Sequence, residues 1–368
     1  MQAIEYHGNQ TIKYVNDRKE PTITHPHDVK IKIKYSGICG SDLHEFVEGP
    51  EIFKKSHTHP EGQVMGHEFS GEIVDMGPEV SNLKLGQHVV VEANGTCRDR
   101  PDIEGECDAC SQGLYNCCEN LTFYGLGFRD GGMAEYCVVK DNHVVPYPNE
   151  IIPDDVAALI EPLAVGWHGV TTSDIVDEPN KDTCALIIGG GTIGLSTVFA
   201  LRSHGIKNIV LTEPSETRRD LASKLGVKVF DPSPFKDVES TAQELRKLSH
   251  DDAGFDRVYD CAGTRETFRT MLSSLKTGGV ATDIAHRAHT NFNVCPVHSM
   301  AHEYTLIGSQ SYRREDLDSV LNAFKSGEYD PREIQMLITE KKKLSDAVDT
   351  FAELSANKDA NVSVLLQP

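Results

Sequence analysis

A chain of 368 residues with 56 acidic and 36 basic side chains has a formal charge of −20, which repels phosphate backbones and anionic lipid and speaks against nucleic-acid or membrane-surface partners. No run approaches the ~18 apolar residues of a membrane span, and the opening MQAIEYHGNQ lacks the basic and apolar regions of a secretory leader. The expectation is therefore a cytoplasmic protein acting on a small molecule, with a length that predicts two domains, each with its own core.

From Asp28 to Val145 the chain is a series of short β-type runs, VKIKIKYSG, SGEIVDMG, QHVVVEA, AEYCVVK and HVVPYP, closely bounded by turn residues. This pattern predicts a mostly β domain with long functional loops. Within it, five of the ten cysteines fall in GTCRDRPDIEGECDACSQGLYNCC. In a reducing compartment thiols stay thiols, so the cluster reads as metal ligands before disulfides. Cys97, Cys107, Cys110 and Cys118 suit a closed tetrahedral structural zinc, with the lobe spanning 94–120. Cys117 is read as a packing residue, because adjacent cysteines do not reach one metal comfortably.

After Pro153 the style changes. Apolar runs (CALIIGGG, IVLTEP, RVYDCAG, VATDIA) alternate with helical ones (IGLSTVFALRSHG, SETRRDLASKLG, TRETFRTMLSSLKTGG), the rhythm of a doubly wound parallel sheet. CALIIGGGTIGL places Gly189, Gly191 and Gly194, with Thr192 and Ile193 between them, in a phosphate-binding turn at the head of a helix. Glu213 closes the next strand about twenty residues on, where a carboxylate accepts hydrogen bonds from ribose hydroxyls and repels a 2′-phosphate. NAD is thus expected over NADP, with Arg218 and Arg219 read as solvated first-turn side chains. Beyond Asn293 the rhythm loosens to a last strand, YTLIGSQ, an amphipathic helix near Glu315–Lys325 and a closing VSVLLQP. The expected division is 1–156 with 295–368 as the β domain, and 157–294 as the dinucleotide-binding domain.

Other ligand types are scattered. Taken singly, Cys39 reads as a buried thiol, His67 as a core histidine and Glu161 as a carboxylate at a helix start. His57 and His59 read as solvated loop residues. Trp167 and His168 either line the active cleft or pack the domain junction, Cys261 shows no sign of a nucleophile, and His286 to His289 read either as a loop near the nicotinamide or as exposed.

Taken together, GICGSDLH, GHEFSGEI, the cysteine lobe, EPLAV, GGGTIG and a closing F-x-x-L-x-x-x-K resemble the zinc-dependent medium-chain dehydrogenases over nearly the whole chain. The GTCRDR lobe and HTHPEGQVMGHEFSG are most similar to 2,3-butanediol dehydrogenases, fungal ones in particular, while sorbitol and xylitol dehydrogenases share much of the pattern. The resemblance implies a GroES-like catalytic domain and a Rossmann domain, with the active site in the cleft between them. It further implies a catalytic zinc on Cys39, His67 and Glu161, with Glu68 in or just behind the ligand set, since neighbours in extended chain face opposite sides. Ser41 and His44 then form the proton relay, and the reaction is NAD-linked oxidation of a secondary alcohol, a vicinal diol such as 2,3-butanediol first and a polyol second. A non-catalytic NAD-binding sensor has no use for Cys39, Ser41, His44, His67 and Glu161 together. A homo-oligomer, dimer or tetramer, is also implied. Two departures stand out: the nine residues between Cys97 and Cys107, and the irregular NVCPVHSMAHEY.

Overall fold

The computed structural model describes residues 1–50, 62–100, 103–173, 182–286, 294, 296–357 and 360–368. The chain divides into two compact units, one of Met1–Glu161, Arg313–Lys358 and Ser363–Pro368, the other of Pro162–Tyr312 and Asp359–Val362.

The first unit is built on a seven-stranded sheet in the order Val144–Pro146, His88–Val91, Phe69–Met76, Asp28–Gly37, Ser363–Gln367 and Ile338–Lys343, with Tyr136–Lys140 also paired to Asp28–Gly37. Asp28–Gly37 alternates as a half-buried strand should, with Val29, Ile31 and Ile33 inside and Lys32 outside. A smaller sheet joins Ile12–Val15, Ala3–Tyr6 and Gln63–Val64. The helix Arg314–Ser326 buries Leu317, Val320, Leu321 and Phe324 along one face and stops at Gly327, whose φ of 81° is the left-handed turn that ends many helices.

The second unit holds a six-stranded sheet ordered Lys228–Phe230, Asn208–Thr212, Cys184–Ile188, Phe255–Asp260, Leu275–Asp283 and Thr305–Gly308, every pairing parallel. Counted within this sheet the order is 3-2-1-4-5-6, the doubly wound dinucleotide-binding arrangement. Cys184–Ile188 is buried at every position, as a strand covered on both faces must be.

The units depart from the boundaries expected from sequence. The second runs to Tyr312 rather than 294, because Thr305–Gly308 pairs with Leu275–Asp283 through Ala281↔Leu306 and its neighbours. YTLIG therefore completes the parallel sheet. The irregular segment before it contains the helix Pro296–His302. The tail does return to the first unit, where Leu365 and Leu366 pair with Gly37 and Ser36.

Candidate active site

Cys39 caps the helix Gly40–Glu48, and Asp42 Oδ2 accepts a hydrogen bond from the Cys39 amide at 3.0 Å. The other oxygen, Oδ1, lies 3.4 Å from His67 Nδ1, and Asp42 is wholly buried. That approach is an ion-pair contact on the Nδ1 side of the imidazole rather than a hydrogen bond. His67 and Glu68 follow Gly66, whose φ is +93°, in a bend before Phe69–Met76. The argument that extended chain separates their side chains consequently does not apply. Cys39 Sγ, a His67 ring nitrogen and a Glu68 carboxylate oxygen lie within 4.8 Å of one another. Glu161 is buried in the first turn of Ile160–Thr172, in the same unit but not in this trio.

The electrostatics of the trio fit a bound cation. Burial and the nearby Glu68 push the Cys39 thiol up to about 11, and burial lifts Glu68 to about 7. Burial works against a charged His67, but Asp42 and Cys39 outweigh it and hold the imidazole well above its usual value. Groups whose anionic forms are penalised by crowding and dryness are relieved by a divalent ion among them, which displaces their protons. A thiolate, a carboxylate and a neutral imidazole would bring Zn²⁺ to formal neutrality and leave a fourth position open.

A second cluster gathers Cys97, Cys107, Cys110 and Cys118, whose sulfurs also lie within 4.8 Å of one another. Cys97 and Cys107 are 4.0 Å apart and Cys107 and Cys118 3.8 Å. A zinc tetrahedron with bonds of ~2.3 Å has edges of about 3.8 Å, far beyond a disulfide. Amides of Cys97 and Asn120 donate to Cys118 Sγ at 3.3 and 3.4 Å. The Cys110 amide donates to Cys107 Sγ, and such bonds pull that thiol down to about 7. Arg98 and Glu106, at the two ends of the nine-residue insertion, form an exposed ion pair at 2.5 Å, and Cys97 meets the other three cysteines despite the spacing. Cys117 points to solvent, which corrects its reading as a packing residue: the turn Tyr115–Cys117 directs Cys118 inward and its neighbour outward.

In the second unit Gly189 has φ +105°, and a Cβ on Gly194 would sit 1.9 Å from the Gly189 carbonyl oxygen; only glycine allows this turn to close on its helix. Gly191 caps Thr192–Ser203. The Thr192 hydroxyl donates to the Val362 carbonyl at 2.9 Å, and the Ile193 carbonyl accepts from Thr197 Oγ1 at 2.9 Å. Glu213 is buried at the end of Asn208–Thr212 and accepts from the amides of Gly190 at 2.6 Å and Ser215 at 2.8 Å. The arginines expected to be solvated are engaged. Arg218 Nη2 donates to the Asn361 carbonyl at 2.7 Å with Nη1 4.0 Å from Glu213, and Arg219 Nη1 donates to the Glu213 carbonyl at 2.8 Å.

Two family models match: the alcohol dehydrogenase GroES-like domain over residues 25–149 and the zinc-binding dehydrogenase over 192–326. Among curated proteins, the chain is 39% identical to the (R,R)-butanediol dehydrogenase of Saccharomyces cerevisiae, over all of this chain and 98% of that protein. It is 38% identical to a probable (R)-acetoin-forming diacetyl reductase of the same organism, over all of this chain and 90% of that one. The chain belongs to the zinc-binding dehydrogenases. The crystal structure of 2R,3R-butanediol dehydrogenase from Bacillus subtilis superposes with a TM-score of 0.83 at 29% identity, covering 100% of this chain and 99% of that one. The protein is thus an oxidoreductase of the zinc- and nicotinamide-dependent type.

Against that family background the remaining residues fall into place. Ser41 Oγ is 3.8 Å from Cys39 Sγ, and His44, three residues on and half-buried, has Nδ1 4.0 Å from Glu48. Asp42, which touches both Cys39 and His67, was not singled out from sequence; its one signal is an acid at the third position of the helix. Nothing in the sequence marks Arg218 for its contacts to the Asn361 carbonyl and Glu213 either. Trp167 rests against His204 at 4.8 Å between ring centroids, and His168 is buried. Burial lifts the Cys261 thiol to about 12, in keeping with an inert residue. His286 lines a cavity of about 500 Å³ with Asp283, Ile284, Ser309 and Gln310, beyond the carboxyl ends of two parallel strands, where such sheets receive ligands. His57, His59 and His289 lie outside the described residues. No helix among the described residues is long and apolar enough to cross a membrane.

Proposed function

We propose that this dehydrogenase interconverts a vicinal secondary diol, 2,3-butanediol in the first instance, and the corresponding hydroxyketone, acetoin, with NAD. The observation that carries the chemistry is the trio of half-buried Cys39 with buried His67 and Glu68, and buried Asp42 behind it; whole-chain likeness to butanediol dehydrogenases supports the substrate class. Bound zinc supplies Lewis acidity at the substrate oxygen, and bound nicotinamide supplies the hydride acceptor. Cys39 and His67 hold the metal with a carboxylate, and the geometry favours Glu68 over Glu161; metal affinities of Glu68→Ala and Glu161→Ala, compared side by side, decide between them. Ser41 takes the alcohol proton and His44, one turn along the same helix, hands it to solvent, a relay worth ~10²–10⁴-fold. Gly189, Gly191 and the amides at the head of Thr192–Ser203 receive the pyrophosphate, and Glu213 the adenosine ribose, where its carboxylate opposes a 2′-phosphate.

Cys97, Cys107, Cys110 and Cys118 hold a structural zinc in this reading. The nine cysteines among the described residues are all free, as thiolate ligands require, which supports a reducing, cytoplasmic setting; a homo-oligomer completes the proposal. The test is NADH formation by the purified protein with each stereoisomer of 2,3-butanediol, sorbitol, xylitol and a simple secondary alcohol, with and without a zinc chelator. Chelator-sensitive turnover strongest on one butanediol isomer is expected. Turnover confined to polyols would move the substrate to the sorbitol and xylitol class, and no turnover on any alcohol would overturn the enzymatic reading.

A further inference from the structure

Gly37 ends the strand Asp28–Gly37, and its backbone is held on both sides. Its amide donates to the Glu68 carbonyl at 2.7 Å, it pairs with Leu365 across the sheet, and the next amide, of Ile38, donates to the Val364 carbonyl at 3.0 Å. A Cβ built on Gly37 falls 2.2 Å from Glu68 Oε2, 3.1 Å from Glu68 Cβ and 3.3 Å from Cδ. The position does not have a positive φ, so the backbone accepts alanine; the volume already filled by the carboxylate is what excludes it.

We propose that Gly37 is the positioning residue of the catalytic metal site, its missing side chain being the slot through which the Glu68 carboxylate reaches Cys39 and His67. The proposal rests on the reading of Glu68 as a metal ligand. A carbon–oxygen contact relaxes to about 3.3 Å, so a methyl group here would drive Oε2 away by roughly 1 Å. The sheet ladder and the Glu68 carbonyl bond keep the backbone in place, which leaves the displacement to the carboxylate. A misplacement of that size at a catalytic centre costs on the order of 10²-fold in rate.

The experiment is a double-mutant cycle of Gly37→Ala and Glu68→Ala in the full-length protein. It is read by chelator competition for the metal, by the ligand-field spectrum of cobalt exchanged into the one-thiolate site, by kcat and KM separately, and by melting temperature. Gly37→Ala is expected to melt close to the parent protein, bind metal at least 10-fold more weakly, shift the cobalt spectrum and lose about 10²-fold in kcat with a smaller change in KM. In the Glu68→Ala background, where the 2.2 Å clash with Oε2 is gone and only the 3.1 Å approach to Cβ remains, it should change metal affinity, spectrum and kcat far less. A parent-like affinity and spectrum in Gly37→Ala would overturn the proposal, as would an equal loss with and without Glu68. If Gly37→Ala alone fails to fold, folding of the double variant supports the slot, and failure of both refutes it. Should Glu68→Ala itself leave metal affinity and spectrum unchanged, the ligand reading fails, and the positioning role falls with it.

Discussion

Asp42 joins the two ends of the proposed metal site: one oxygen accepts from the Cys39 amide and the other faces His67 Nδ1. A carboxylate behind a ligating histidine fixes the ring's orientation and raises its basicity, and losing such a partner typically costs 10–100-fold in metal affinity. Asp42→Asn keeps the shape and the acceptor toward Cys39 but loses the charge, so chelator competition should show a loss in that range with little change in melting. An unchanged affinity would reduce Asp42 to a helix cap. Taken singly, Cys39 and His67 carry no ligand signal in the sequence; the family resemblance of GICGSDLH and GHEFSGEI is what points to them, and it puts Glu161 ahead of Glu68. The sequence did not expose Asp42, since an acid near a helix start is ordinary. Nor did it show that His67 and Glu68 face the same way, since Gly66 turns the chain just before them and a left-handed glycine has no signature apart from being glycine.

With the proposed structural zinc on its four thiols, the cysteine lobe is the element whose fold would depend most on a metal. Its elements are a four-residue helix, Asp108–Ser111, two turns of three residues and a pair of two-residue strands, and its buried cluster is mainly Cys97, Cys110 and Cys118. So small a core cannot order the loop alone. Cys110→Ser removes the most deeply buried ligand, and loss of a structural metal costs more than ~4 kcal/mol. At about 2–4 °C per kcal/mol for a unit of this size, melting should fall by roughly 10 °C. Cobalt bound at the Cys39 site should keep its spectrum at low temperature, and an unchanged melting temperature would remove the structural zinc. Elsewhere, elements were legible where their periodicity is clean. Cys184–Ile188, Thr192–Ser203 and Asn208–Thr212 follow one another as the apolar pattern requires. Ile338–Lys343, with the sequence ITEKKK, carries no apolar strand pattern; it is the edge of its sheet, and lysines there hinder pairing with other chains. Thr305–Gly308 was assigned to the wrong unit for a related reason, as an edge strand with exposed positions carries little buried-strand signal.

At the scale of the whole molecule, two electrostatic effects oppose each other as pH falls. The charge of −20 at pH 7 is self-repelling, and it shrinks toward zero near the sequence pI of about 5.2. Acidification from pH 7 to about 5 should therefore raise stability, or at least not reduce it. Specific carboxylates act the other way. Asp28 is almost wholly buried, which alone would raise its pKa, but Lys140 at 2.8 Å and the amides of Thr24 and His25 hold it below its usual value. Asp155, also buried, is held low in the same manner by Lys341 at 2.5 Å and Gln335 at 2.8 Å. A carboxylate with a depressed folded pKa contributes stability that is complete above its unfolded pKa of ~3.9 and is lost as pH falls through the folded value. The melting temperature should thus hold or rise from pH 7 to 5 and then fall below about pH 4. Salt separates the two effects, because it screens the diffuse repulsion between exposed charges far more than the buried pairs. Raising ionic strength from about 0.01 to about 0.5 M should increase the melting temperature at pH 7, do so less at pH 5, and leave the acid limb in place. A salt response as large at pH 5 as at pH 7 would show that net charge is not what limits stability at neutral pH, and an acid limb that survives Asp28→Asn combined with Asp155→Asn would assign it to other carboxylates.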